Sequence, residues 1–251
     1  MRYTQVAGEE MKLEGKTALV TGGAVRLGRS LATALATRGV RVAVHYAASE
    51  AAAVDTVSSI LDAGGEAERF SADLRRTEEV TGLVDRVVAR FGVIDILVNN
   101  AAIFYPGDLE TTDEWNWDEH FALNLKAPFF LSRQFVRQLG GGEGQIINIA
   151  DWRAIRPGPD YIAYTITKRG IITMTESLAL ALAPRVRVNA IAPGAILPPP
   201  GKNASYLEDL AERIPLQRSG SPQDVAEALF YLLEAGYVTG QTIFVNGGQH
   251  L

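Results

Sequence analysis

Tyr164 and Lys168 stand four residues apart, and Asp151 lies thirteen residues before the tyrosine. The run from Ala163 to Lys168 has helical apolar spacing, which puts Tyr164 and Lys168 one turn apart on one face. An ammonium beside a phenol favours the phenolate, so Lys168 is expected to lower the Tyr164 pKa and make it a proton donor near neutral pH. Upstream, the apolar run Thr17–Val20 empties into Thr21-Gly22-Gly23-Ala24-Val25-Arg26-Leu27-Gly28, and a helix-forming stretch follows. Glycines in such a turn let backbone approach a pyrophosphate at a helix N-terminus. Arg26 occupies the place of the middle glycine of the usual three-glycine fingerprint.

These residues need a scaffold. β-type runs near 17–21, 41–46, 66–71, 94–99, 145–149, 187–191 and 242–246 alternate with helical periods near 26–38, 49–63, 76–91, 113–139, 161–183 and 221–234. That alternation predicts one α/β domain over residues 13–251, a doubly wound parallel sheet of about seven strands with helices on both faces. Residues 1–12 read as a polar N-terminal extension without a signal-peptide core. Pro193 to Ser205, with Pro198-Pro199-Pro200, can neither continue a helix nor fill a central strand, and is expected to be a loop over the site.

Pro128, four residues after Asn124, takes away the helical partner of the Asn124 carbonyl and predicts a kink. With 47% hydrophobic and 21% charged residues, the chain is long enough to bury a substantial core. A net charge of −5 carries no basic footprint for nucleic acid, and the absence of cysteine excludes disulfides and thiolate chemistry. No apolar run reaches membrane-spanning length, so a cytoplasmic location is expected. His45, His120 and His250 are too scattered to suggest a metal site.

Together Thr21-Gly22…Gly28, Asp73-Leu74, Asn99-Asn100-Ala101, Asn124, Tyr164-x-x-x-Lys168, Pro193-Gly194 and Val245-Asn246-Gly247-Gly248 resemble the short-chain dehydrogenase/reductase family. The resemblance implies a Rossmann-type fold, an NAD(H)- or NADP(H)-dependent activity and a homotetramer. It places Asp73 at the adenine, Asn100-Ala101 and Pro193-Gly194 along the dinucleotide groove, and Lys168 at the nicotinamide ribose, with Tyr164 as proton donor. It also puts a water held by the Asn124 carbonyl beside the lysine.

The family's usual catalytic serine is replaced here by Asp151. A carboxylate cannot donate to a ketone oxygen unless protonated, but it can accept from amino groups or pass protons to a ring nitrogen. This arrangement is similar to that of pteridine reductases, as are Arg26-Leu27-Gly28-Arg29-Ser30, Val44-His45-Tyr46-x-x-Ser49, Phe104-Tyr105-Pro106 and Tyr161. The narrower likeness implies that Phe104 stacks on a pterin ring, with Tyr161 also lining the substrate. Ala48, Ala102 and Ile196 depart from that subgroup's pattern. Trp152, Arg153 and Arg156 have no counterpart, leaving two readings open: contact with an anionic substrate tail, or an interface or surface role.

No acid stands at the end of the second strand to grip ribose hydroxyls; His45, Tyr46 and Ser49 are there, with Arg26 and Leu27 in the glycine loop. A guanidinium suits a 2′-phosphate, so NADPH/NADP is the expected cofactor. The expected reaction is reduction of a dihydropterin or dihydrofolate. Alternatives are a carbonyl reductase or alcohol dehydrogenase acting on a ketone, sugar or 3-oxoacyl substrate, and a cofactor-binding regulator without turnover.

Overall fold

The computed structural model describes residues 12–199, 201, 203 and 205–251. The expected N-terminal extension falls almost wholly outside the described residues, as does Pro200 of the proline loop.

Seven parallel strands form one sheet in the order β3-β2-β1-β4-β5-β6-β7. They are β1 (Thr17–Val20), β2 (Arg41–Tyr46), β3 (Ala67–Ser71), β4 (Ile96–Asn99), β5 (Gly144–Ile149), β6 (Val186–Pro193) and β7 (Thr242–Val245). The central strands β1, β4 and β5 are buried along their whole length because both faces are covered. On β1, Ala18 and Val20 point to one core layer and Leu19 to the other; Ile96, Val98 and Leu97 of β4 repeat the division. The first layer is closed by α1 (Arg26–Thr37), α2 (Glu50–Asp62) and α8 (Pro222–Glu234). The second is closed by α3 (Thr77–Phe91), α5 (Ala127–Gln138) and part of α6 (Ile162–Leu182).

Every expected strand and helix is present, with three differences. The expected helix over 113–139 is three segments: α4 (Glu114–His120), a π-helical stretch (Phe121–Lys126) and α5. Pro128 sits in the first turn of α5, and the wider π turn falls just before it, where an ordinary ladder would need its missing N–H. β6 runs on through Pro193, because only its last position must do without a donor. The loop after it then enters a short helix, α7 (Ser205–Ala211), which buries none of its residues fully and so leaves no apolar stripe to read.

The strand order reverses between β1 and β4, whose neighbours lie on opposite sides. Loops leaving the carboxyl ends of these strands diverge and open a crevice, the usual ligand position in open α/β sheets.

Candidate active site

Thr21 ties the two sides of that crevice together. Its hydroxyl donates to Val98 O at 3.2 Å and accepts from the N–H groups of Asn100 (2.9 Å) and Ala101 (3.0 Å). Asn100 Nδ2 returns a bond to Thr21 O at 2.8 Å. The glycine turn packs against this staple so closely that a Cβ on Gly28 would fall on the Gly22 carbonyl and the Asn100 amide. Gly22 itself has φ +61°, a conformation glycine adopts without steric cost.

The cleft has a volume of about 680 Å³ and runs from Ser49 to Tyr164. It is lined by Gly22, Arg26, Leu27, Gly28, His45, Ser49, Asp73, Leu74, Asn100, Ala101, Asp151, Tyr164, Lys168, Pro193 and Gly194. At one end α1 begins at Val25 with no side-chain cap and no acid in its first turn, so its free N–H groups and positive dipole end face the cleft. The tight glycine cradle and this uncapped helix end fit the phosphates of a dinucleotide. Gly194 is required for another reason: a Cβ there would collide with Gln249 and Asn246 of the C-terminal turn.

At the other end the three candidate catalytic side chains meet. Tyr164 is buried on α6, and its hydroxyl donates to Asp151 Oδ2 at 2.8 Å. Asp151 follows β5 and caps a one-turn 3-10 helix (Trp152–Ala154), its Oδ1 accepting from Arg153 N–H at 2.8 Å. Lys168, also buried, donates to Ile149 O at 2.7 Å and lies 5.7 Å from the centre of the Tyr164 ring.

Burial dominates the electrostatics. It lowers the Lys168 pKa to about 8, against the opposing pull of Asp151. It raises the Asp151 carboxyl above the usual carboxylate range, although the Arg153 N–H and the Tyr164 hydroxyl favour its charged form. Tyr164 is pushed well above the ordinary phenol value, first by burial and then by the Asp151 charge and hydrogen bond. This corrects the expectation that Lys168 makes Tyr164 acidic. The phenol proton points at a carboxylate, and the lysine spends a hydrogen bond on Ile149.

Four expected site residues are not on the lining of this cleft. Tyr46 lies in the apolar core rather than in the cleft, because it is the last inward position of β2. Asn124 is buried on the π-helical stretch, where its side chain clasps Ile103 through the backbone N–H (2.9 Å) and carbonyl (3.0 Å). Phe104 and Tyr161 stack on each other, centroids 4.2 Å apart and planes 3° from parallel, so Phe104 already has a partner on one face. Phe104 also meets the Tyr164 ring at 4.6 Å, nearly perpendicular.

His45 does line the cleft, but both its ring nitrogens are engaged: Nδ1 accepts from Gly22 N–H at 3.0 Å and Nε2 bonds Ala72 O at 3.0 Å. It braces the glycine loop instead of offering charge. Arg26, at φ +51°, extends its guanidinium to Pro198 O at 2.7 Å, joining the glycine loop to the proline loop. Asp73 is gripped by Arg75 through Nε and Nη2, both at 2.8 Å, which holds its carboxyl below the usual range. Arg75 was not singled out from the sequence, nor were Ile103, Leu123 and Leu197, though all line the cleft. Their one signal is a position just beyond a strand's carboxyl end or on the packed kink. Among the described residues, no helix is long and apolar enough to cross a membrane, and no cluster of three or more His, Asp or Glu is arranged to hold a metal.

Comparison with known proteins agrees with this architecture. The family model described as Enoyl-(Acyl carrier protein) reductase matches residues 23–250. The 3-oxoacyl-(acyl-carrier-protein) reductase FabG of Staphylococcus epidermidis is 38% identical over 242 residues, covering 94% of this chain and 99% of that protein. The 3beta-hydroxysteroid dehydrogenase 1 of Eggerthella lenta is 38% identical over 252 residues, 95% of each chain. The crystal structure of FolM alternative dihydrofolate reductase 1 from Brucella canis, complexed with NADP, superposes with a TM-score of 0.91 at 37% identity, covering 95% of both chains. The chain belongs to the short-chain dehydrogenase/reductase family of oxidoreductases.

The buried His45 makes the glycine loop acid-sensitive. Its pKa falls from 6.5 to about 4 on folding, chiefly by burial. The unfolded chain therefore binds the extra proton between those values, and stability is lost as pH falls from 6.5 towards 4. At about 1.4 kcal/mol per pH unit, this amounts to roughly 3 kcal/mol. His45→Gln keeps an acceptor and a donor without titrating. Denaturant unfolding at pH 7 and pH 4.5 should show a much smaller acid loss in the variant than in the native protein; equal losses would remove His45 as the cause.

Proposed function

We propose that the protein is an NADPH-dependent reductase of a dihydropterin or dihydrofolate. The observation that carries this reading is the hydrogen bond from the Tyr164 hydroxyl to Asp151 Oδ2 at 2.8 Å, beside a buried lysine. The likeness to an NADP-bound dihydrofolate reductase at 37% identity supports it.

On this reading Gly22, Leu27, Gly28, Asn100, Ala101, Pro193 and Gly194 cradle the dinucleotide, Asp73 and Leu74 meet its adenine end, and Lys168 holds the nicotinamide ribose. Arg26 and Ser49 receive the 2′-phosphate, which Arg26 reaches by exchanging its bond to Pro198 O. When bound, the reduced cofactor supplies a hydride to ring carbon C6. The proton for N5 then comes from the protein. Asp151, whose carboxyl burial raises above the usual carboxylate range, positions the ring or passes the proton on through water, and the Tyr164 hydroxyl bonded to it assists as acid. Phe104 serves as the aromatic wall for the substrate ring, with Tyr161 stacked on it. Asn124 fixes Ile103 and with it the loop that carries Phe104. The segment after β6 acts as the substrate loop. A cytoplasmic homotetramer belongs to the same reading, by analogy of fold.

A 3-oxoacyl or other carbonyl reductase is the second reading, favoured by the 38% identity to FabG over nearly the whole chain. There Tyr164 would protonate the carbonyl oxygen directly.

NADPH oxidation followed with dihydrobiopterin, dihydrofolate and a β-ketoester separates the two. Tyr164→Phe and Asp151→Ala are each expected to lower kcat on the pterin by roughly 10²–10⁴-fold, the range of a lost proton donor. Asp151→Ser should abolish pterin turnover and raise ketoester turnover; a native enzyme active on the ketoester alone would refute the pterin reading. Cofactor choice is tested separately. KM for NADPH should lie well below that for NADH, and Arg26→Ala should narrow the gap by roughly tenfold, the worth of one charge-assisted phosphate contact. A preference for NADH would contradict it.

A further inference from the structure

Beside Asp151 lies a guanidinium whose donors have no acceptor. Arg153 is the second residue of the 3-10 turn that Asp151 caps, so its backbone is fixed to the same carboxylate that accepts the hydrogen bond of the Tyr164 hydroxyl. Its guanidinium lies over three rings: Trp152 at 5.1 Å, Tyr161 at 5.4 Å and Phe104 at 5.6 Å. Among the described residues its side chain makes no hydrogen bond or ion pair, and the rings can offer it only their faces. Arg156, three residues on, is different: it donates to the carbonyls of Gln249 and Leu251. Rings hold a guanidinium in place without consuming its N–H groups, which leaves the planar fork ready for a bidentate anion.

Arg153 lines a second cavity, of about 220 Å³, together with Trp152, Arg156, Asp160 and Tyr161. Tyr161 connects this cavity to the catalytic one, since it stacks on Phe104, and Phe104 meets the ring of Tyr164. The volume is below that of an ordinary small-molecule site and suits the arm of a ligand whose body lies elsewhere. Asp160 on the same lining is a like charge to any anion, which leaves Arg153, with its uncommitted fork, as the group there that can receive one carboxylate of a tail.

We propose that Arg153 is the specificity residue of this enzyme. It receives the carboxylate tail of a substrate whose flat ring lies against Asp151 and Tyr164, and so favours dihydrofolate over dihydropterins with uncharged tails. The inference rests on the pterin reading and deepens it.

The test is the ratio of kcat/KM for dihydrofolate to that for dihydrobiopterin in the native enzyme, Arg153→Met and Arg153→Lys, with NADPH binding measured by nicotinamide fluorescence as the check on folding. Native enzyme should favour dihydrofolate; Arg153→Met should lower the ratio by roughly tenfold or more, mainly through KM for dihydrofolate, and Arg153→Lys should restore part of it. A ratio within about twofold of native in Arg153→Met, whatever the common loss in kcat, overturns the assignment. A second arm needs no variant: blocking the carboxylates of dihydrofolate as methyl esters should cost the native enzyme a similar factor, and undiminished turnover of the ester overturns it as well. If dihydrobiopterin is turned over but charge makes no difference, Arg153 alone is wrong. If neither pterin is turned over, the function reading falls and takes this inference with it.

Discussion

Everything at the site depends on how the chain closes the gap between β1 and β4. Two parallel strands whose following segments run in opposite directions leave backbone donors and acceptors facing each other across a crevice, and buried backbone groups must find partners. Thr21 supplies them with one hydroxyl, accepting from Asn100 and Ala101 and donating to Val98. With the staple in place, the Asn100 amide packs over the glycine turn, and only glycine fits at position 28. His45 then braces the turn from the other side through the Gly22 N–H. The phosphate cradle is thus rigid before any ligand arrives, and preorganisation of this kind is what lets a site spend binding energy on its ligand.

The same economy of polar groups runs through the sheet to the catalytic end. Asn99 donates to Asn148 at 2.8 Å on the neighbouring strand, and Asn148 donates to Thr175 of α6 at 2.9 Å. This buried chain fixes α6 against β4 and β5, and α6 carries both Tyr164 and Lys168. Buried side-chain hydrogen bonds of this kind specify how elements sit, whereas apolar contacts alone would tolerate sliding; one atom of the chain, Asn99 Oδ1, is left without a partner among the described residues. Lys168 shows the consequence: its ammonium is held on Ile149 O in a place that lowers its pKa to about 8.

Much of this was legible in the sequence. Strand and helix periods placed all seven strands and the long helices to within a few residues, since most strands are dominated by apolar residues and each long helix carries a buried stripe. The residues that meet the cleft by their spacing, such as Gly28 and Tyr164, were legible too. What failed was side-chain direction near strand ends. His45 and Tyr46 are adjacent in β2, so successive side chains point to opposite faces, and Tyr46 had to enter a core layer once His45 faced Gly22. The bridging role of Thr21 was not legible, because the partners a threonine hydroxyl finds across the sheet leave no mark in the spacing of its motif. The pKa of Tyr164 was misjudged because helix spacing reveals Lys168 but not that the Tyr164 hydroxyl turns towards Asp151.

That last point bears on chemistry. In a site with a serine at position 151, the tyrosine would be the natural acid, helped by the lysine and free to aim at a carbonyl oxygen. A buried carboxylate at 2.8 Å changes the order of proton affinities: the phenol becomes a worse acid and the carboxyl a better proton carrier. A carboxylic acid of raised pKa is well matched to an imine nitrogen, which is basic enough to take its proton outright as hydride arrives at the adjacent carbon. It is less well matched to a ketone, whose oxygen stays weakly basic until the carbon–hydrogen bond has nearly formed. On the pterin reading proposed above, the exchange of one hydroxyl for one carboxyl turns the site from oxygen towards nitrogen without altering the fold that holds it.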